Sequence, residues 1–312
     1  MKKIISPVPK NKLEKELTKD KFIRKTNNRG NDLYIISYYD SPNLMREIGR
    51  LREMAFREAG GGTGKELDID KYDTFPDMTY KQLIVWDPEK KEILGGYRYF
   101  ICKNILTDGN GAKRLAISKL FNFSEKFKKE YLPYMIELGR SFVQPAFQST
   151  SQARKGIFAL DNLWDGLGAL VVNNQDAKYF FGKVTMYPHF NNEARNLILF
   201  FLIKYFADKD NLVTPIEPFE LNFDRAKLES IFSGNTFHKN YKILSQKVRE
   251  FGENIPPLIN SYMNLSPSMK TFGTVINKNF GNVEETGIMI TIKDLYTTKV
   301  DRHISTYYPG KS

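Results

Sequence analysis

Cysteine is nearly absent from this 312-residue chain: Cys102 stands alone, so no internal disulfide framework can form. Histidine is almost as scarce, at His189, His238 and His303, and with one thiol this leaves too few spaced ligands for a structural zinc site. No metal is expected. Long apolar runs are lacking as well. The longest, Leu197 to Ile203, stops at Lys204, well short of the roughly 20 residues that cross a bilayer, and reads as a buried helix. No secretory leader is seen, because the prolines of Ile4-Ile5-Ser6-Pro7-Val8-Pro9 interrupt the stretch after Lys2-Lys3 before an apolar segment of about 7–15 residues develops. The expectation is a cytoplasmic protein in a reducing compartment.

Several catalytic signatures are missing too. No GxGxxG follows a strand and no GxSxG elbow exists, which disfavours dinucleotide-binding and α/β-hydrolase folds. No His stands four residues before an Asp, which argues against the glycerolipid acyltransferases. Gly60-Gly61-Gly62-Thr63-Gly64-Lys65-Glu66 imitates a phosphate loop, but Ala59 occupies the first glycine position and Glu66 the position of the metal-binding hydroxyl. It also follows a helix and not a strand, so it reads as an interhelical loop. Zinc-finger spacing, aromatic-basic RNA motifs and a basic zipper are all missing, so nucleic acid is not an expected partner.

Apolar residues make up 41% of the chain and aromatics 13%, enough for a sizeable core. The net charge of +11 is uneven: residues 1–30 hold ten bases and three acids, a surplus of seven. Such a segment is either a solvated terminus or an attachment for an anionic partner, a lipid surface or an acidic protein. After it, Asp32–Tyr39 reads as a strand and residues 44–55 as an amphipathic helix capped by Ser41 or Asn43. A hairpin spans 80–101 around the turn Asp87-Pro88-Glu89-Lys90. Tyr134–Val143 is a strand, 156–172 a helix, 177–187 a strand and 191–206 a helix. The stretch 222–251 is helical but broken at Gly234, and late strands fall near 273–280 and 286–292. This order predicts an α/β (α+β) fold, a central twisted mixed sheet with helices on both faces. The division expected is a basic segment over 1–31 and one domain over 32–312, with a core to 215 and an extension, 216–312, packed on it.

Four charged pieces stand out: Leu51-Arg52-Glu53-Met54-Ala55-Phe56, Leu67-Asp68-Ile69-Asp70-Lys71-Tyr72-Asp73, Gly95-Gly96-Tyr97-Arg98-Tyr99 and Glu137-Leu138-Gly139-Arg140-Ser141-Phe142-Val143. Arg52 and Phe56, four apart, project from one side of a helix. In order and spacing the set resembles the acyl-carrier-protein-dependent N-acyltransferases of the GNAT superfamily. Two branches are similar, the acyl-homoserine-lactone synthases and the makers of ornithine or glycine lipids, whose members are often labelled hemolysins. The likeness covers about Tyr34 to Tyr187. The first branch carries a Trp soon after the first helix, which is missing here, and is about a hundred residues shorter, so the aminolipid branch fits better.

The resemblance implies transfer of a long acyl chain, with or without a 3-hydroxyl, from acyl carrier protein to the α-amine of a small amino acid such as glycine or ornithine. Alternatives are an acetyl-CoA-dependent acetyltransferase, a homoserine-lactone synthase, and a non-catalytic membrane-surface protein on the same scaffold. Ordinary acetyl-CoA members cradle pyrophosphate on a loop with two small residues. Here Arg154, Lys155 and Gly156 fall at the corresponding place, but Phe158 takes the second small position. That obstructs a pyrophosphate and favours a carrier-protein thioester as donor substrate, with no bound cofactor. Arg154, Lys155 and Lys183 are expected to flank the entry and steer an acidic carrier protein, and the basic arm to touch an anionic membrane face.

The resemblance also implies roles. N-acylation needs a neutral amine, so a base must take the ammonium proton. Glu137 is the first candidate, a structural ion pair with Arg98 or Arg140 its alternative. Arg52, Asp68, Asp70, Asp73, Arg98 and Arg140 form an ionic cluster over the acceptor pocket, and Arg98 or Arg140 binds the acceptor carboxylate in two-pronged fashion. Backbone N–H groups near Phe142 and Val143 polarise the thioester. Residues three apart on a regular strand face opposite ways, so Glu137 and Arg140 share a site only across a bulge, for which Gly139 is well placed.

Overall fold

Alternating apolar residues build a hairpin over 81–101, and the sheet extends from both its edges. A computed structural model describes residues 1–105, 111–147 and 153–310, the side chains of 153–157 excepted. In chain order the described elements are α1 (Lys10–Glu14), β1 (Phe22–Lys25), β2 (Asp32–Ile36), α2 (Pro42–Glu58), α3 (Lys71–Thr74), β3 (Lys81–Asp87), β4 (Glu92–Ile101), β5 (Phe121–Phe123), β6 (Met135–Val143) and α4 (Ala153–Asn173). They continue as β7 (Tyr179–Met186), α5 (Asn192–Phe206), β8 (Val213–Pro215), α6 (Arg225–Ile231), α7 (Phe237–Glu250), α8 (Pro257–Met263), β9 (Lys270–Asn277), β10 (Val283–Thr291) and α9 (Thr297–His303).

Eight strands form a mixed sheet in the order β1-β2-β3-β4-β6-β7-β10-β9, and β5 pairs with β8 separately. Only β6 and β7 run parallel, joined through α4 as a parallel pair requires. Side chains two apart share a face. Leu83, Val85, Tyr97, Tyr99, Ile136 and Leu138 pack against Leu163, Leu167 and Leu170 of α4 and the apolar residues of α5. Ile84, Trp86, Ile93 and Phe142 pack instead against Leu44, Ile48 and Leu51 of α2. The sheet is thus covered on both sides, as the element order predicts.

Residues 1–31, set apart above by their charge, are built into this arrangement. Val8 and Leu13 are buried with α2, and β1 lies on β2. Glu16 also caps α2: its carboxylate accepts from Asn43 N at 3.0 Å and Leu44 N at 2.8 Å. An anion there suits the positive end of the helix. Ser41 makes no cap bond; its hydroxyl contacts Asp40 and Lys21 instead.

Candidate active site

The ladder between β6 and β7 runs from Met135↔Tyr179 to Glu137↔Phe181 and ends there. Opposite, on β4, Gly96 pairs with Phe142 but Arg98 pairs with Gly139, so Tyr97 faces both Arg140 and Ser141. This is the bulge anticipated above, but its left-handed residue is Arg140, with φ of 49°, and not Gly139. The extra residue bends β6 away from β7. At the apex the strands touch so closely that a Cβ on Gly182 would lie 2.7 Å from Leu138 O. Beyond it opens a cavity of about 710 Å³.

The cavity crosses the sheet and changes character as it does. On the side of α4 its walls are Tyr97, Leu138, Phe147, Leu160, Leu258 and Tyr262. On the side of α2 they are Phe56, Phe280, Arg140, Lys183, Tyr187 and Glu285. Alternation explains the split, since Val184 and Met186 turn toward α5 while Lys183 and Tyr187 turn the other way. Arg140 lies over the Phe280 ring at 4.4 Å, and that ring meets Phe56 at 5.1 Å.

Three arginines and three aspartates interlock behind the polar mouth. Arg52, Asp68 and Asp73 are fully buried. Asp73 receives Arg52 Nη1 at 3.3 Å, Arg98 Nη1 at 3.2 Å and Gln82 Nε2 at 2.9 Å. Gln82 also accepts from Arg52 Nη2. Asp70 caps α3 and pairs with Arg98 at 2.7 Å and Arg140 at 3.5 Å. Arg140 Nε stands 2.7 Å from Asp68 Oδ2, a charge contact without an aligned N–H. Burial pushes the Asp70 carboxyl up, but the charges of Arg98 and Arg140 prevail and hold it at about 2. Burial pulls Arg98 down, and the carboxylates of Asp73, Asp70 and Asp68 more than offset it. Among the described residues no three His, Cys, Asp or Glu converge as a metal site; these aspartates face arginines.

The structure thus brings these six side chains together, with Arg140 on the cavity wall and Arg98 behind it. Phe56, Phe142 and Val143 also line the cavity. Gln144 N donates to Leu94 O at 2.8 Å, so alternation turns the backbone groups of Phe142 toward β4 and those of Val143 toward the β7 side.

Glu137 is placed differently from either reading made of it. Its carboxylate accepts from the Tyr80 hydroxyl and from Ile117 N at 2.9 Å, makes no ion pair with Arg98 or Arg140, and does not border the cavity. Burial pushes its carboxyl up, against those hydrogen bonds and the Arg98 charge.

Lys183, expected to flank the entry, lines the cavity. It reaches into the cavity and pairs with Glu285 of β10, a residue the sequence did not single out. The two lie 102 positions apart, and only the insertion of β10 beside β7 joins them. Burial lowers the Lys183 ammonium and the Arg140 charge adds to it, while Glu285 opposes both. Arg154, Lys155 and Gly156 fall at the start of α4, where side chains lie outside the described residues. No helix of the described residues is long and apolar enough to cross a membrane.

A model described as an acetyltransferase (GNAT) domain matches residues 51–155. The chain is 55% identical over 307 residues to a glycine N(alpha)-acyltransferase of Phocaeicola vulgatus, covering 98% of this chain and 94% of that one. It is likewise 55% identical to the glycine N(alpha)-acyltransferase of Bacteroides thetaiotaomicron, over 98% of this chain and 91% of the relative. Among solved structures, a CoA-dependent acyl-homoserine lactone synthase, BjaI, with SAM and isopentyl-CoA aligns with a TM-score of 0.40 at 11% identity, covering 89% of each chain.

Proposed function

The chain belongs to the glycine N(alpha)-acyltransferases, GNAT-type acyltransferases, and from that premise we propose that it moves a long acyl chain from a thioester donor to the α-amine of glycine. The observation that carries this reading is the cavity through the parted strands, apolar toward α4 and charged toward α2. A thioester lying along β6 between Leu138 and Val143 directs its acyl chain toward Leu160 and Tyr262, and offers its carbonyl to an amine arriving past Phe56 and Arg140.

The chemistry follows from that pose. The acceptor's ammonium gives up a proton, the free amine attacks the thioester carbon, and the C–S bond breaks. The amide nitrogen loses its second proton as the thiolate regains one. Arg140 and Lys183 put two cations on the polar wall of the cavity, which favours an acceptor bearing a carboxylate.

We further propose acyl carrier protein as the donor and an aminolipid precursor as the product. Phe158 supports the donor assignment: a bulky residue stands where the resemblance calls for a small one, and its ring carries the Arg29 guanidinium at 4.5 Å. The test is thiol release by purified protein from 3-hydroxypalmitoyl carrier protein, with palmitoyl-CoA as competing donor and glycine, ornithine or S-adenosylmethionine as acceptor. Glycine-dependent release from the carrier protein is expected. Release from CoA alone overturns the donor assignment, and a preference for ornithine overturns the acceptor.

A further inference from the structure

Resting on the acyl transfer to glycine proposed above, we infer that Lys183 and Glu285 form the acceptor clamp, Lys183 receiving the carboxylate and Glu285 taking the ammonium proton. The argument begins with charge. The arginines and aspartates behind the mouth balance one another three to three, and Arg140 already has Asp68 and Asp70 against two of its nitrogens. Lys183 and Glu285 are the other oppositely charged pair on the cavity wall. Glu285 is fully buried, and its second oxygen receives Asn277 Nδ2 at 3.2 Å. Among the described residues Lys183 donates to Glu285 alone, leaving two of its N–H bonds for a ligand.

A buried ion pair open on one side to a cavity is a template for a zwitterion. Glycine carries the same two charges, an ammonium and a carboxylate joined through a single carbon. Inserted between them it exchanges one ion pair for two, with no net change in buried charge. The acceptor's N–H then lies against Glu285 carboxylate oxygen. Glu285 takes one proton and becomes a neutral acid, the amine lone pair forms the C–N bond, and the C–S bond breaks. The departing thiolate takes the second nitrogen proton, and Glu285 returns its proton to solvent.

The groups that face this pair are few. Arg140 approaches from β6 with Asp68 and Asp70 behind it, Tyr187 from β7 and Asn277 from β9. Burial and the Glu285 charge hold the Tyr187 hydroxyl at about 12, so it stays protonated through the working range. Glu137 is taken up by Tyr80 and Ile117, away from the cavity lining, and has no role in the clamp.

The test compares glycine with glycinamide, which keeps the amine and lacks the carboxylate, in the wild type, Lys183→Gln, Lys183→Arg and Glu285→Gln. Melting temperatures check that each variant is folded. The double variant Lys183→Gln/Glu285→Gln removes the pair without stranding a charge, should a single one fail to fold. The wild type should favour glycine in kcat/KM by about 100-fold or more. Lys183→Gln, alone or in the double variant, should bring that ratio below about 10-fold, and Lys183→Arg should restore part of it. Glu285→Gln should lower kcat at pH 7 by about 100-fold, with the deficit shrinking by pH 9.5, where glycine deprotonates unaided. A ratio unchanged by Lys183→Gln overturns the carboxylate assignment, and a deficit equal at both pH values overturns the base. If the wild type itself shows no glycine-dependent thiol release, the acyl-transfer reading fails first and the clamp with it.

Discussion

At the residue scale the decisive fact is how many partners one carboxylate serves. Asp73 answers Arg52, Arg98 and Gln82, and its other contact is with the Asp70 backbone N–H, at 3.0 Å. Removing its charge leaves the buried Arg52 guanidinium without its ion-pair partner and Arg98 with Asp70 alone. Asp73→Asn should therefore destabilise the fold by about 3–5 kcal/mol, more than Asp70→Asn, as measured by urea unfolding. The same cluster sets an acid limit. Asp70 is held at about 2 against 3.8 in an ordinary setting, so the unfolded chain binds its proton first as pH falls. Its contribution, about 2 kcal/mol, is complete above pH 3.8 and is lost as pH falls from there through 2. Glu137, raised by burial, acts in the opposite sense: the folded chain binds its proton first, so its contribution weakens as pH rises through its folded value. Unfolding midpoints of wild type and Asp70→Asn between pH 6 and pH 2.5 should converge toward the acid end.

At the element scale the site is made by two strands that stop touching. The shape of the gap, more than any one side chain, sorts apolar from polar. Leu160 on α4 lines the apolar end. Leu160→Trp should shorten the acyl chain accepted best, seen by comparing kcat/KM across donors of 8 to about 16 carbons, while KM for glycine stays near its wild-type value. Much of this layer was legible in the residues. Alternation and the Asp87-Pro88 turn place β3 and β4 within a residue of their observed bounds, and the order of charged pieces locates the arginine–aspartate cluster. Other parts were hidden for physical reasons. A left-handed Arg140 has no signature, because most such positions are glycine and Gly139 stood next to it. The β1 strand is four residues with two bases, too short and too polar for periodicity to show. The pairing of Lys183 with Glu285 depends on strand order, which alternation within a strand does not encode.

At the scale of the whole molecule, the ends of the chain close on each other. Asn27 N donates to Asp165 Oδ2 at 2.8 Å, Asn27 Nδ2 to Arg302 O at 2.7 Å, and His303 Nδ1 meets Asp165 Oδ1 at 2.7 Å. The basic segment is thus structural in its backbone while Lys12, Lys15 and Lys19 remain exposed. On the carrier-protein donor proposed above, changing those three to Gln should leave the melting temperature near wild type but raise KM for that acidic donor several-fold at low salt, an effect that fades as ionic strength approaches about 0.5 M. The position of β10 has a consequence in time. It pairs along β7 from Tyr179 to Met186, yet it is the last strand of the sheet to be made. While the chain grows, β7 has no neighbour on that side, and neither Glu285 nor the wall it belongs to exists. The cavity therefore closes in one late step, when residues 283–291 pair along a strand made about a hundred residues of synthesis earlier.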